Sequence, residues 1–180
     1  MSKKRLYQIT SCAMLTALSI IFERIITITP PSNTMDIRIT FANVPIILAG
    51  LFVSPLMGGV CGVVSDLIGC IISGYAPFPI LTAAPFVTGL VPSLVFKASG
   101  LEKRQNTGFL TNSAVLAFAV LVSHILSSAL ITTYGLSVMR GVDFVPMFVT
   151  RIPSMVIGVA IDAVLICVLY TPLRKALKKL

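Results

Sequence analysis

Long unbroken apolar runs dominate this chain, and its polar positions gather mostly in the short gaps between them. A helix needs about 20 apolar residues to cross a bilayer, and the pattern predicts six spans, near 6–29, 41–53, 55–74, 79–99, 109–134 and 149–172. The second is too short to cross unless it tilts or joins its neighbours. The expected fold is an all-α membrane protein, a six-transmembrane-helix bundle forming a single domain over residues 1–180, with no soluble domain left over.

Composition supports that class, with 56% hydrophobic residues, 11% charged residues and a mean hydropathy of +0.99, beyond what a soluble domain with a polar exterior reaches. The net charge of +8 does not point to nucleic acid. Its basic residues cluster at helix ends, at Lys3, Lys4 and Arg5, at Lys97, Lys103 and Arg104, and at Arg174, Lys175, Lys178 and Lys179. That is a topology signal: six spans with both termini and the 97–108 loop cytoplasmic satisfy the positive-inside rule, leaving 24–40, 73–78 and 135–150 outside. The opening Met-Ser-Lys-Lys-Arg resembles a signal peptide, but the run after it is long and further spans follow, so it is read as the first helix.

Cys12, Cys61, Cys70 and Cys167 fall inside spans at no metal-ligand spacing, and His124 has no second histidine with which to share a zinc ion. No metal, cofactor or catalytic residue is expected. Phosphate-loop, nucleophile-elbow and zinc-protease motifs are absent from the sequence. An ATP-driven process would therefore use an ATPase on another chain, and an enzyme is not expected.

Charge inside an apolar span costs about 2.5–3.5 kcal/mol on insertion scales, so such groups face a cavity or a partner. Asp66 follows Gly58 and Gly62 at spacings of four, sharing a face that lets another helix approach. It is either a ligand contact or a structural carboxylate. Arg151, Gly158 and Asp162 project within about 20° of one direction at 100° per residue, so one face of the sixth span runs from a cationic mouth to an acidic middle. With Arg24 and Arg140, Arg151 makes the outer vestibule cation-rich, which suits an anionic solute bound through guanidinium–carboxylate pairs. Arg24 could equally be interfacial and paired with Glu23, and Arg151 a capping arginine.

The 27–40 segment, with Pro30, Pro31 and then alternating apolar positions, suits an extended loop over the outer face. Arg38 on it is a candidate contact that can also pair with Asp36. Tyr75 and Phe78 stand among prolines at the same mouth, either to stack on a flat ring or as aromatic-belt residues. Ser123, His124, Ser127, Ser128, Thr132 and Thr133 form a polar stripe whose histidine is read as a helix-packing hydrogen bonder. Ala13 and Ala17 form a small-xxx-small pair permitting close helix approach.

These segments carry a resemblance. Ala13-x-x-x-Ala17, Arg24, Arg38 with Ile-Thr-Phe-Ala-Asn43-Val-Pro-Ile-Ile-Leu-Ala-Gly50, Gly58 through Gly69, Gly74 through Thr82 and Thr150-Arg-Ile-Pro153 together resemble the substrate-binding membrane subunit, the S component, of an energy-coupling-factor vitamin transporter, above all its folate-specific kind. The resemblance implies capture of a vitamin outside a prokaryotic cell membrane and association with the transmembrane coupling protein EcfT and two cytoplasmic ATPases. It makes Ala13 and Ala17 contacts of the coupling protein. Arg24, Arg38, Tyr75 and Arg151 become substrate-site candidates, with Asn43, Asp66 and Phe78 suited to a pterin. Asp162 and the Gly-Tyr-Ala-Pro-Phe-Pro stretch depart from the folate pattern, leaving other vitamins such as riboflavin, thiamine or pantothenate, or a queuosine precursor, as alternatives. The rival of another class is a self-contained proton-coupled carrier using Asp66 and Asp162.

Overall fold

The computed structural model describes residues 3–25, 40–74, 76–100 and 109–177. Its helices are α1 (Lys3–Ile25), α2 (Asn43–Phe52), α3 (Pro55–Ser73), α4 (Pro79–Ala98), α5 (Phe109–His124), α6 (Thr133–Arg140) and α7 (Phe144–Leu177), with a π-helical segment, Ile125–Thr132, joining α5 to α6. Five stretches are long and apolar enough to cross a membrane: Leu6–Ile25, Pro55–Ser73, Pro79–Ala98, Thr111–Arg140 and Phe144–Arg174. Their outward faces carry large apolar side chains such as Met14, Ile71, Phe118, Val145 and Val164. A water-facing surface would not expose so much apolar area, whereas lipid accepts it.

α2 is the short element, and it is the most enclosed. Every residue from Val44 to Gly50 is buried, because α2 is packed among α1, α3, α4 and α7. Ten residues rise only about 15 Å, half the hydrocarbon thickness. A chain can end a helix at that depth only where protein covers the open backbone groups. Here Ala42 N–H donates to Thr40 Oγ1 at 3.2 Å and Val44 N–H to the Phe41 carbonyl at 3.3 Å, while Ser19 Oγ of α1 donates to the Ala42 carbonyl at 2.8 Å and Ser65 Oγ of α3 to Ser19 Oγ at 3.1 Å.

Neighbouring contacts fix the directions. Cys61 of α3 lies against Cys12, and Ser65 against Ser19, so α1 and α3 run parallel. α4 runs against α3, the α5–α6 rod against α4, and α7 against α5, as the paired contacts Gly58–Gly89 with Gly62–Pro85, Ser123–Thr88 with Gly135–Leu81, and Ser113–Cys167 with His124–Asp162 require. The Lys3 end of α1 and the Leu177 end of α7 therefore share one end of the bundle. At that end Tyr170 stacks on Phe52 with ring centroids 5.5 Å apart and meets Phe96 edge-on at 5.3 Å.

The α3–α4 crossing is built on missing side chains. A β-carbon at Gly58 would lie 2.7 Å from the Gly89 carbonyl, where backbone would have to move, and one at Gly59 2.7 Å from Phe86 Cε2, where the ring would. The glycine spacing on α3 thus serves the close approach expected of it. Gly69, at the other end of the series, faces Arg24 and Glu23 of α1 instead. Pro92 inside α4 cannot donate to the Thr88 carbonyl one turn back; Ser123 Oγ of α5 does so at 3.4 Å. We expect Gly89→Ala to lower the thermal midpoint in detergent by about 3–8 °C. Gly158→Ala, whose new methyl would sit at an ordinary 3.7 Å from His124 Cε1, should stay within about 2 °C; equal shifts would mean that the crossing is not close-packed.

The fifth and sixth spans differ from the sequence reading. Residues 135–150, expected outside as a loop, are almost wholly helical: the fifth rod continues through α6 to Arg140, and α7 begins at Phe144. Gly141 at φ 64° closes α6 in the left-handed conformation, with Val142 N–H donating to the Ser137 carbonyl at 3.2 Å and Ser137 Oγ to the Val142 carbonyl at 2.6 Å. A single glycine makes the turn in three residues.

Candidate functional site

At the end of the bundle opposite the termini, the helices part around a cavity of about 390 Å³. Each wall is supplied by a different element. α1 gives Ser19 and Glu23, α3 gives Ser65 and Asp66, α6 gives Arg140, and α7 gives Arg151, Ser154, Met155 and Gly158. α2 contributes Asn43 and Ile46 from its embedded start, with Ala42 just before it, α4 contributes Leu81, Ala84, Pro85 and Thr88, α5 contributes His124 at the floor, and the π segment Ser127, Ser128 and Thr132 above it. The five-residue advance of the π segment is visible in its hydroxyls: Thr132 Oγ1 donates to the Ser127 carbonyl at 2.9 Å and Thr133 Oγ1 to the Ser128 carbonyl at 3.0 Å. Such turns occur often where a helix lines a site.

The charges are sorted. Glu23 and Asp66 stand on the α1–α3 side, Arg140 and Arg151 on the α6–α7 side. A cavity with an acidic wall facing a basic one fits a solute with hydrogen-bond donors at one end and carboxylates at the other, in a setting where charge-assisted bonds are strong. A second hollow, about 460 Å³, lies between α3 and α4 and is bordered by Val63, Leu67, Pro77, Pro79, Thr82, Ala83 and Phe86. It presents apolar surface and one hydroxyl, and no charge.

Below the polar cavity sits a buried network. Asp162 is 1% exposed, and its Oδ2 accepts from Asn43 Nδ2 at 2.9 Å and from His124 Nε2 at 2.8 Å. Three elements, α2, α5 and α7, are thereby tied at one carboxylate oxygen. Among the described residues, Asp162 Oδ1 and His124 Nδ1, both buried, have no hydrogen-bond partner. Removing one member of such a buried pair costs about 3–5 kcal/mol by leaving the other uncompensated.

Of the residues singled out in the sequence, the structure brings Asn43, Asp66 and Arg151 to the cavity wall. The face predicted for the sixth span is realised, since Arg151, Ser154, Met155 and Gly158 all line the cavity and Asp162 lies one turn beneath. His124 is the helix-packing hydrogen bonder expected. Arg24 is placed elsewhere: its Nη2 donates to the Gly69 carbonyl near the end of α3, so among the described residues its guanidinium joins α1 to α3 rather than lining the cavity. Phe78 sits at the start of α4, half-buried, and outside the cavity wall. Arg38 and Tyr75, with Asp36 and most of the 27–40 segment, lie outside the described residues. Ala13 and Ala17 are exposed on α1.

Sequence reasoning missed Glu23, which entered only as a partner for Arg24, and it missed the Asn43–Asp162–His124 network. A signal for the latter existed. The single histidine and a mid-span aspartate are groups that seek one another in an apolar medium.

A family model described as "ECF-type riboflavin transporter, S component" matches residues 3–179. The chain belongs to this S-component family. Relatives by sequence include the folate transporter FolT of Clostridium novyi (strain NT), 27% identical over 155 residues, which are 86% of this chain and 82% of the relative. Two solved structures share the fold. FolT bound with folic acid superposes with a TM-score of 0.72 at 22% identity, over 92% of this chain and 94% of that one. The S component of a bacterial ECF transporter gives 0.66 at 21% identity, over 97% and 99%. The all-helical S-component fold read from the sequence is thus the observed one, and family membership favours a transport subunit over a self-contained carrier or an enzyme.

Proposed function

We propose that this S component captures folate or a related pterin outside a prokaryotic cell membrane and releases it through an ATP-driven module comprising a transmembrane coupling protein and two cytoplasmic ATPases. The observation that carries the ligand is the sorted charge of the cavity. Folate has a pterin ring edged with N–H donors and a glutamate tail with two carboxylates. The donors match Glu23, Asp66 and Asn43; the carboxylates match Arg140 and Arg151. Riboflavin, the vitamin in the family's description, has a neutral ribityl chain that offers those two guanidinium groups no carboxylate. The folate named for two relatives agrees with the chemistry of the wall.

The test is calorimetric titration of the purified protein with folate beside riboflavin, thiamine and pantothenate. We expect tight folate binding and at least about 100-fold weaker binding of riboflavin, because the ribityl chain forgoes the charge-assisted bonds that a glutamate tail makes to Arg140 and Arg151. Riboflavin binding more tightly than folate would overturn the assignment and leave the family standing.

A further inference from the structure

Asp162 lies outside the cavity wall, yet it decides what the wall presents. A carboxylate oxygen can only accept, so the Asn43 atom 2.9 Å from Asp162 Oδ2 must be the amide NH2. The Asn43 carbonyl then points the other way. Asn43 is a cavity-lining residue, and among the described residues its Oδ1 has no hydrogen-bond partner. The carboxylate cannot swing away, because His124 Nε2 holds the same oxygen at 2.8 Å from α5 and the group is 1% exposed. Were position 162 an amide or an apolar residue, Asn43 could present either end to the cavity.

We propose that Asp162, anchored by His124, is a positioning residue that sets ligand specificity by locking Asn43 as a hydrogen-bond acceptor for an N–H on the vitamin's pyrimidine ring. The inference rests on the folate reading for its preferred ligand, where the donor edge is the ring N–H and 2-amino group of the pterin. Its chemistry is wider than that reading, because the flavin ring system also has a pyrimidine imide N–H. With Asp66 on the neighbouring wall, two acceptors stand together at the pterin end of the cavity, and a ligand offering acceptors to them forms neither hydrogen bond.

The experiment compares folate with the analogue in which a methyl replaces the 2-amino group, by calorimetry on the whole purified chain. Three proteins are titrated: the unaltered chain, Asp162→Asn, and the exchanged pair Asn43→Asp with Asp162→Asn. In the exchanged pair the carboxylate carried by α2 has only oxygens, one facing the amide now on α7 and one facing the cavity, so the acceptor returns. We expect the unaltered chain to prefer folate over the analogue by about 10-fold or more, Asp162→Asn to lose most of that preference, and the exchanged pair to regain it. Gel filtration and thermal midpoints establish that each variant is folded; if Asp162→Asn is not, Asp162→Leu takes its place.

A merely structural carboxylate would weaken both ligands equally, and that outcome, or an unchanged preference, overturns the proposal. If the unaltered chain binds riboflavin and not folate, the folate reading fails by itself, and the same variants are titrated with riboflavin and N3-methylriboflavin, whose ratio must collapse and recover in the same way. A chain that binds neither vitamin overturns both.

Discussion

Arg151→Ala should weaken folate binding by about 100-fold, the largest loss expected from any single truncation in the cavity. Arg151 stands on the first turns of α7, lines the cavity and faces the side opposite Glu23 and Asp66. A hydrogen bond to a charged group is worth about 1.5–3 kcal/mol, and a bidentate guanidinium–carboxylate pair sits at the upper end of that range. Arg151→Lys should recover only part of the loss, because an ammonium is a point charge without the planar fork. Arg140, exposed at the end of α6, works in higher dielectric, and its alanine variant should lose about 10-fold or less. A simple pterin lacking the glutamate tail separates contact from scaffolding. Its binding should be insensitive to Arg151→Ala; an equal loss for pterin and folate would remove Arg151 from the tail's recognition.

These expectations show which parts of the site a sequence can reveal. The apolar runs located the helices because lipid demands about 20 apolar residues of any crossing segment, whatever the sequence between them. The sixth span's polar face was legible for a similar reason: helical periodicity alone brings Arg151, Gly158 and Asp162 to one side. Where the reading failed, the deciding interaction was long-range. Arg24 was read as a ligand contact or an interfacial arginine paired with Glu23, and the helix contact it makes, to the Gly69 carbonyl 45 residues away, was neither. The π segment left no trace in the pattern, because a run that is apolar on most sides carries no strict period for a wider turn to break. The 135–150 stretch was read as a loop, whereas three residues complete the turn between α6 and α7 with Gly141 at positive φ.

Ala13→Trp and Ala17→Trp should each abolish uptake by cells while leaving folate affinity of the purified subunit within about 2-fold of the unaltered chain. The geometry separates the two functions. Among the described residues α1 packs only against α2 and α3. Its other face carries Ala13, Met14, Ala17, Leu18 and Ile21 exposed along one apolar strip. Cavity residues of the same helix, Ser19 and Glu23, lie on the face turned inward and nearer its far end. Small residues on an exposed strip allow another helix to come within backbone contact in lipid, where close packing rather than a hydrophobic driving force holds helices together. An indole at either position would hold a partner helix away by several ångströms without touching the cavity. Under the proposed function that partner is the coupling protein, so ATP hydrolysed by the module could no longer be transmitted to the subunit. Co-purification with the coupling module should fail for both tryptophan variants and persist for Ala13→Gly and Ala17→Gly. Loss of folate binding alongside loss of uptake would show that the strip supports the bundle itself. Full uptake by both variants would place the partner's contact on another face.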